Sequence, residues 1–445
     1  MLSRRSFMRT SAAFAVATAS GVALADDGPT PIVFVHGDSD QGSIWQTTIW
    51  RFESNGFPRD RLAAISFTDP QARDSDDAPQ PNRSSTSDEL RELSAFIDAV
   101  KARTGAAKVA LVGNSRGGFS IRNYLSQGGK ANVSRVVLCG SPNHGVFAAD
   151  FNLGSEYNGK GPFLSKLNAG ETEAPADIPV LTLRSDGYDL YAQPDGAYLG
   201  HPGMATGVTF DGPALKGATN LLLGRVDHRE TAFSPRAFAE IYRFLLGQAP
   251  ARLSIKPEDK IALSGMVTGM VGETPTNRPV EGAQLSVYAV DVESGARLGA
   301  PLLKLTTGAD GAWGPLKLEC TAATEFELAV PGAPITHIYR SPIPRSLDIL
   351  NLRPAPVLTE DDRKAGAIVM MNRPRGYFGV PRDYVNIDGQ LPPGLPEGVP
   401  AVWKTKLSLD AYADRPIAAV FNEERILVRP WPAKDNHVTV AEFTY

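Results

Sequence analysis

From residue 31 to about residue 246, short apolar runs alternate with stretches of helical periodicity. The runs at 31–35 (PIVFV), 62–67 (LAAISF), 108–112 (KVALV), 135–139 (RVVLC), 179–183 (PVLTL) and 220–223 (NLLL) are too short for helices and too continuously apolar for a sheet wetted on one face. They read as strands buried on both sides, which requires helices above and below the sheet. Between the second and third runs, Leu90, Leu93, Ile97 and Val100 recur at helical spacing. Thr86 with Glu89 fits a capping box there, and Gly105 is placed to end the helix. This alternation predicts an α/β domain with a mostly parallel sheet.

After residue 250 prolines become dense, and runs such as 283–290 (AQLSVYAV) and 326–330 (FELAV) alternate like strands. The expected organisation is an α/β domain at 26–250 and an all-β domain at 251–445, with a further division near residue 355 left open. One segment, 68–90, is polar and of low complexity.

The first 25 residues have a different character. Residues 3–10 read SRRSFMRT, an apolar run of small residues follows, and Ala23-Leu24-Ala25 precedes Asp26 and Asp27. Paired Arg4 and Arg5 ahead of Phe7 and Met8 resemble a twin-arginine export signal, with cleavage after Ala25 and a periplasmic or secreted product. The apolar run is short for a span, and no other segment reads as one, so stable membrane insertion is not expected. The formal charge is −4, and loss of Arg4, Arg5 and Arg9 makes the remainder more acidic, which argues against nucleic acid as a partner. Cys139 and Cys320 lie in different predicted domains, so no disulfide framework is expected.

The chemistry centres on Gly113-Asn114-Ser115-Arg116-Gly117, which fits G-x-S-x-G between an apolar strand and a plausible helix, FSIRNYL. Gly113 and Gly117 would let the backbone take a sharp turn that lifts the Ser115 hydroxyl clear of the sheet. A serine needs an adjacent base, and His228 stands in a loop after NLLL and before a helix that Ser234 can cap and Pro235 can begin. The group orienting that imidazole should follow PVLTL, where Asp189 is preferred and Asp186 is the alternative. For an oxyanion hole, the backbone N–H groups of Asp38, after His36-Gly37, and of Arg116 are the candidates. His144 and His201 fall in glycine- and proline-rich loops. No H-E-x-x-H or comparable cluster appears, so neither metal nor cofactor is expected.

Together these residues resemble the α/β-hydrolase lipases and carboxylesterases. More narrowly, PIVFVHG, RFESNGFP, GNSRGG, DHRETAFSPRAFAEIYRFLLG and HIYRSPIPRSLDILNL resemble an archaeal-type lipase that joins an α/β-hydrolase domain to a C-terminal β-barrel domain. The resemblance implies hydrolysis of hydrophobic esters through an acyl-enzyme, with Ser115 and His228 at matching positions. It departs in three places. The strand after which that relative carries its acid here ends in Cys139. The polar 68–90 stretch replaces an apolar lid, while the insertion 141–171 could cover the site instead. Asp38 and Arg116 replace apolar residues beside the oxyanion hole, and a pair between them would make the entrance polar. An extracellular polyester depolymerase of the same chemistry, or a binding protein on a hydrolase scaffold, are the competing readings.

Overall fold

The structure, a computed structural model, describes residues 28–272 and 274–445. The export segment therefore lies outside the described residues. Six strands, β1 (Ile32–Val35), β2 (Leu62–Ala64), β3 (Val109–Asn114), β4 (Val133–Cys139), β5 (Val180–Ser185) and β6 (Thr219–Leu223), form one sheet in the order β2-β1-β3-β4-β5-β6. Every pairing in it is parallel.

Alternate residues of these strands feed two cores. Phe34, Val112, Val137 and Leu183 pack against helices α1 (Gln46–Ser54) and α6 (Pro235–Leu246). On the other face Val35, Leu111, Val136 and Val180 meet α2 (Thr86–Thr104) and α3 (Arg116–Ser126). Burial on both faces is why the strands lack the apolar-polar alternation of a half-wet sheet. Three shorter α-helices, α4 (Pro162–Leu167), α5 (Glu230–Phe233) and a five-residue turn of helix at Glu360–Lys364, complete the α-helices of the described residues, beside five short 3-10 turns.

The cap of α2 differs from the expected one by a single position. Ser85 is the N-cap and exchanges bonds with Asp88, because Thr86 is turned to Asp76, to whose Oδ2 its Oγ1 donates at 2.7 Å, and Glu89 is drawn inward. Gly105 ends the helix at φ 72°, and Ser234 with Pro235 starts α6 as the residue pattern suggests. The polar 68–90 stretch is packed: Asp76 accepts from Thr86, Arg73 pairs with Asp88 at 2.9 Å, and Asp69 pairs with Arg278 at 2.6 Å.

The C-terminal region is β-rich. Its main sheet has seven strands, in the order Leu303–Thr306, Gln284–Val290, Ala323–Ala329, Ile335–Arg340, His437–Glu442, Ala367–Asn372 and Lys404–Leu409. Pairings are antiparallel except on both sides of His437–Glu442. That strand, from the end of the chain, joins strands from either side of residue 355, so a division there would cut through one sheet. A three-stranded sheet (Val385–Ile387, Ile417–Phe421, Glu424–Val428) packs on one face around Phe378, Phe421 and Phe443. The whole is a mostly parallel α/β-hydrolase-like sheet followed by an antiparallel β-rich region.

Trp50 of α1 joins the two. It is fully buried in the other core of the β-rich region, with Ile261, Phe326 and Leu350, and its Nε1 donates to the Ser346 carbonyl at 3.1 Å. Trp50→Ala is expected to remove about 3–5 kcal/mol of stability. Denaturant unfolding checks this, and the loss should appear in the transition of the β-rich region although the substitution lies in the other half.

Candidate active site

Strand β3 delivers Ser115 to the end of the sheet. Ser115 has φ 53° and ψ −123°, a conformation that strains any residue with a side chain and that the surroundings must enforce. Its N–H donates to the Cys139 carbonyl at 2.9 Å, and its own carbonyl accepts from Gly118 N–H at 2.9 Å. The flanking glycines permit close packing. A Cβ on Gly117 would stand 2.5 Å from the Val35 carbonyl oxygen, and one on Gly113 would stand 2.7 Å from Ile121 Cδ1. The serine is half-buried and lines a cleft of about 640 Å3.

His228 lines the same cleft. Its Nδ1 lies 3.0 and 3.1 Å from the two carboxylate oxygens of Asp189, so Nδ1 carries the hydrogen and Nε2 keeps its lone pair. Nε2 is buried and has no hydrogen-bond partner among the described residues. Tyr191 packs edge-on against the imidazole at 4.7 Å, and the His228 carbonyl accepts from Thr231 Oγ1 at 2.6 Å, so both ring and backbone are held. Between the two acids left open by the sequence, geometry places Asp189 on the histidine. Asp186 instead accepts from the backbone N–H groups of Tyr188 at 3.2 Å and Arg225 at 2.7 Å, a turn-holding role.

The two candidate oxyanion donors come from different elements, Asp38 from just past β1 and Arg116 from the start of α3. Among the described residues neither backbone N–H donates to a protein acceptor. The β1 loop is fixed from within by His36, whose Nδ1 donates to the Gly37 carbonyl at 2.8 Å while Nε2 accepts from Phe67 N–H at 3.0 Å. Burial pushes the His36 pKa down to about 4, so it serves as a neutral brace. Gly37 is needed for closeness, since a Cβ there would lie 2.9 Å from Ser115 Cβ.

The side chains of these two residues depart from expectation. Arg116 does not pair with Asp38 and does not reach the entrance. It is fully buried, and its guanidinium meets Glu156 through Nε at 2.6 Å and Nη2 at 2.9 Å, and Glu89 through Nη1 at 2.6 Å. Pro70 and Ser84 take the remaining donors. Asp38 accepts instead from Ala72 N–H at 2.9 Å and from the Tyr157 hydroxyl at 2.8 Å. One guanidinium among two buried carboxyls favours one carboxylate and one retained proton. Burial, opposed by Arg116 and reinforced by Glu156, pushes Glu89 up to about 8.

The insertion 141–171 forms one wall of the cleft through Val146, Phe147 and Phe151, with Leu190 and Tyr191 adding apolar surface. Arg73, Asp74 and Arg83 of the polar stretch form another. His201 also lines the cleft, whereas His144 is engaged away from it with Glu173 at 3.1 Å. Tyr377 and Trp403 reach the cleft from the β-rich region.

That region also grips the histidine loop. Asp227, fully buried, accepts from Arg373 Nη1 at 2.9 Å, Tyr377 N–H at 2.8 Å and Arg382 Nη2 at 3.2 Å. Glu230 pairs with the same two arginines. On the other side of His228, Arg229 reaches Asp40 at 2.7 Å and the Pro374 carbonyl at 3.0 Å. Sequence reading missed this clamp. The acidic residues flanking His228 were the only signal, and their partners stand more than 140 positions later.

Residues 29–156 match the family described as lipase (class 2), and residues 259–357 match the lipase C-terminal domain. Both matched families are lipase families. Carboxylic ester hydrolysis is the chemistry they support. Among solved structures, the chain is similar to Bacillus licheniformis lipase BlEst2 in propeptide form (22% identity, 61% of this chain and 59% of that chain, TM-score 0.36). It is also similar to Aspergillus fumigatus lipase B (17%, 51% and 54%, 0.34) and to Bacillus subtilis carboxylesterase CesB (16%, 50% and 85%, 0.28). The chain thus spans little more than half of either lipase.

Two outcomes are expected from the buried charges. A carboxyl whose folded pKa is raised contributes stability that is complete below its ordinary value of 4.5 and is lost as pH rises through about 8. Glu89→Gln keeps the neutral form at every pH, so its melting temperature should gain on the wild type steadily between about pH 5 and pH 8. A constant difference across that range would count against a protonated Glu89. Arg373→Met leaves buried carboxylates short of a partner and should cost about 3 kcal/mol or more. By contrast Arg415→Met, at a pair whose arginine is half exposed, should cost at most about 1 kcal/mol, and chemical denaturation of both variants makes the comparison.

Proposed function

We propose that the chain is an exported serine ester hydrolase acting on hydrophobic carboxylic esters. The observation that carries this reading is the histidine. His228 has Nδ1 on Asp189 and an unpartnered Nε2 in the cleft that also contains Ser115 at its strained turn. Ser115 Oγ attacks the ester carbonyl as Nε2 takes its proton, and Asp189 holds the tautomer and steadies the imidazolium. The developing oxyanion is met by the N–H groups of Asp38 and Arg116, both free to donate. Collapse releases the alcohol with the proton from His228. Water, activated by the same histidine, then frees the acid from the acyl-enzyme.

The apolar wall of Val146, Phe147, Leu190 and Tyr191 suits an acyl chain or another greasy ester group. Export rests on the paired Arg4 and Arg5 and the A-x-A at Ala23–Ala25, with a periplasmic or secreted enzyme as the result.

Nitrophenyl esters of short, medium and long acids test the assignment. Ser115→Ala and Asp189→Asn should each lower kcat by about 10^4-fold, whereas Asp186→Asn should stay within about tenfold of wild type. Equal losses at the two aspartates would remove Asp189 from the proposed role, and turnover that survives Ser115→Ala would reject the serine.

A further inference from the structure

A second cavity of about 310 Å3 lies between the two halves of the molecule. It borders the cleft at Asp40, Gln71, Arg229 and Trp403, and its far side is formed by strands Ile335–Arg340, Ala367–Asn372 and His437–Glu442. Ile338, Leu352, Met370 and Val440 give it an apolar wall.

Its charge is lopsided. Five cationic side chains and two carboxylates line it, in a chain whose formal charge is −4. The two carboxylates are taken: Asp40 pairs with Arg229 at 2.7 Å and Glu442 with Arg340 at 2.5 Å. Among the described residues Arg353 and Arg375 have no carboxylate within ion-pair distance. Arg353 bonds only to the Thr276 carbonyl at 3.3 Å and to Asn277 Oδ1 at 2.8 Å, and Arg375 only to the carbonyls of Thr444 and Phe443. Burial pushes both guanidinium groups down to about 10. Among the described residues the Nε groups of Arg353 and Arg340 are buried donors with no partner, and Arg340 is 93% buried as its relative exposure is 7%. Lys404 stands at the rim, 5.2 Å over the Trp403 ring.

Buried cations are ordinarily neutralised, and buried donors ordinarily bonded. Here unmatched positive charge, free N–H groups and an apolar wall share one enclosure. We propose that this cavity binds a carboxylate-bearing amphiphile of the free fatty acid kind. Its carboxylate neutralises the guanidinium groups that lack an acidic partner, Arg353 foremost, and its chain lies along Ile338, Met370 and Val440. The acid that ester hydrolysis would release in the adjoining cleft has this chemistry, but binding itself requires no turnover.

Titration calorimetry on full-length Ser115→Ala protein, which separates binding from catalysis, tests this with octanoate, octanol and acetate. Octanoate should bind saturably and at least tenfold more tightly than octanol, which lacks the charge, or acetate, which lacks the chain. Arg353→Gln, outside the cleft, should weaken octanoate tenfold or more. Should that variant fail to fold, Lys404→Gln at the exposed rim should weaken octanoate two- to fivefold. Octanol as tight as octanoate, acetate as tight as octanoate, octanoate affinity unchanged in the folded arginine variant or in Lys404→Gln, or no saturable binding would each overturn the proposal.

Discussion

The arrangement around the serine depends on one buried guanidinium. Arg116 opens α3 immediately after Ser115, and its side chain is driven inward beneath the turn. A cation removed from water costs several kcal/mol unless its charge and its five donors are satisfied. Satisfying it requires Glu89 from α2, Glu156 from the insertion, and Pro70 and Ser84 from the polar stretch. Two segments far apart in the chain, 70–89 and the insertion, must therefore fold onto the same residue. The reward is orientational: the Arg116 N–H and the strained Ser115 are locked by the group that locks the cleft walls.

The histidine depends in a similar way on the β-rich region. Asp227 and Glu230 flank His228 in sequence, and Arg373 and Arg382 hold both. Asn277, from the same region, donates to the carbonyls of Asp40 and Phe67 at 3.0 and 2.7 Å, fixing the loop that carries Asp38. The sheet alone thus positions the serine, whereas the histidine loop and the β1 loop are completed by residues after 250. The region after 250 is structurally part of the site as well as an appendage to it, and Tyr377 and Trp403 in the cleft wall point the same way.

What was legible in the sequence is what local patterns encode. Strands buried on both faces write themselves as continuous apolar runs, and all six were found within two residues of their starts. The end of β2 was overrun, because Ile65 still bonds to the Phe34 carbonyl after regular pairing has stopped. Gly113, Ser115 and Gly117 were legible for the same reason: a tight turn needs particular residues at fixed offsets. The direction of the Arg116 side chain was not, since its carboxylates come from 27 residues before it and 40 after, and a charged residue beside a cleft is ordinarily taken to face water. The polar 68–90 stretch misled likewise. Its acids and arginines pair with each other and with Arg278, so its composition reflects an ordered charge network.

These anchors also limit what can move over the site. Withdrawing Glu156 would break two buried charge-assisted hydrogen bonds to Arg116, at 2.6 and 2.9 Å, and leave Glu89 as the carboxyl beside it, at a cost of about 3 kcal/mol or more. At that cost an arrangement with the insertion fully lifted is populated on the order of one molecule in a hundred or fewer. The insertion is further tied together by Asn158, whose side chain donates to the carbonyls of Ala149, Phe151 and Asn152. At the tip the backbone is bonded but the apolar side chains are not enclosed: Phe151 and Leu153 face solvent, and Phe147 stacks on Phe151 at 6.4 Å. A wholesale opening of the kind an apolar lid permits is therefore disfavoured by the same interaction that orders the serine turn. Access to Ser115 must come through the standing cleft, and its width is set by charge pairing as much as by apolar packing.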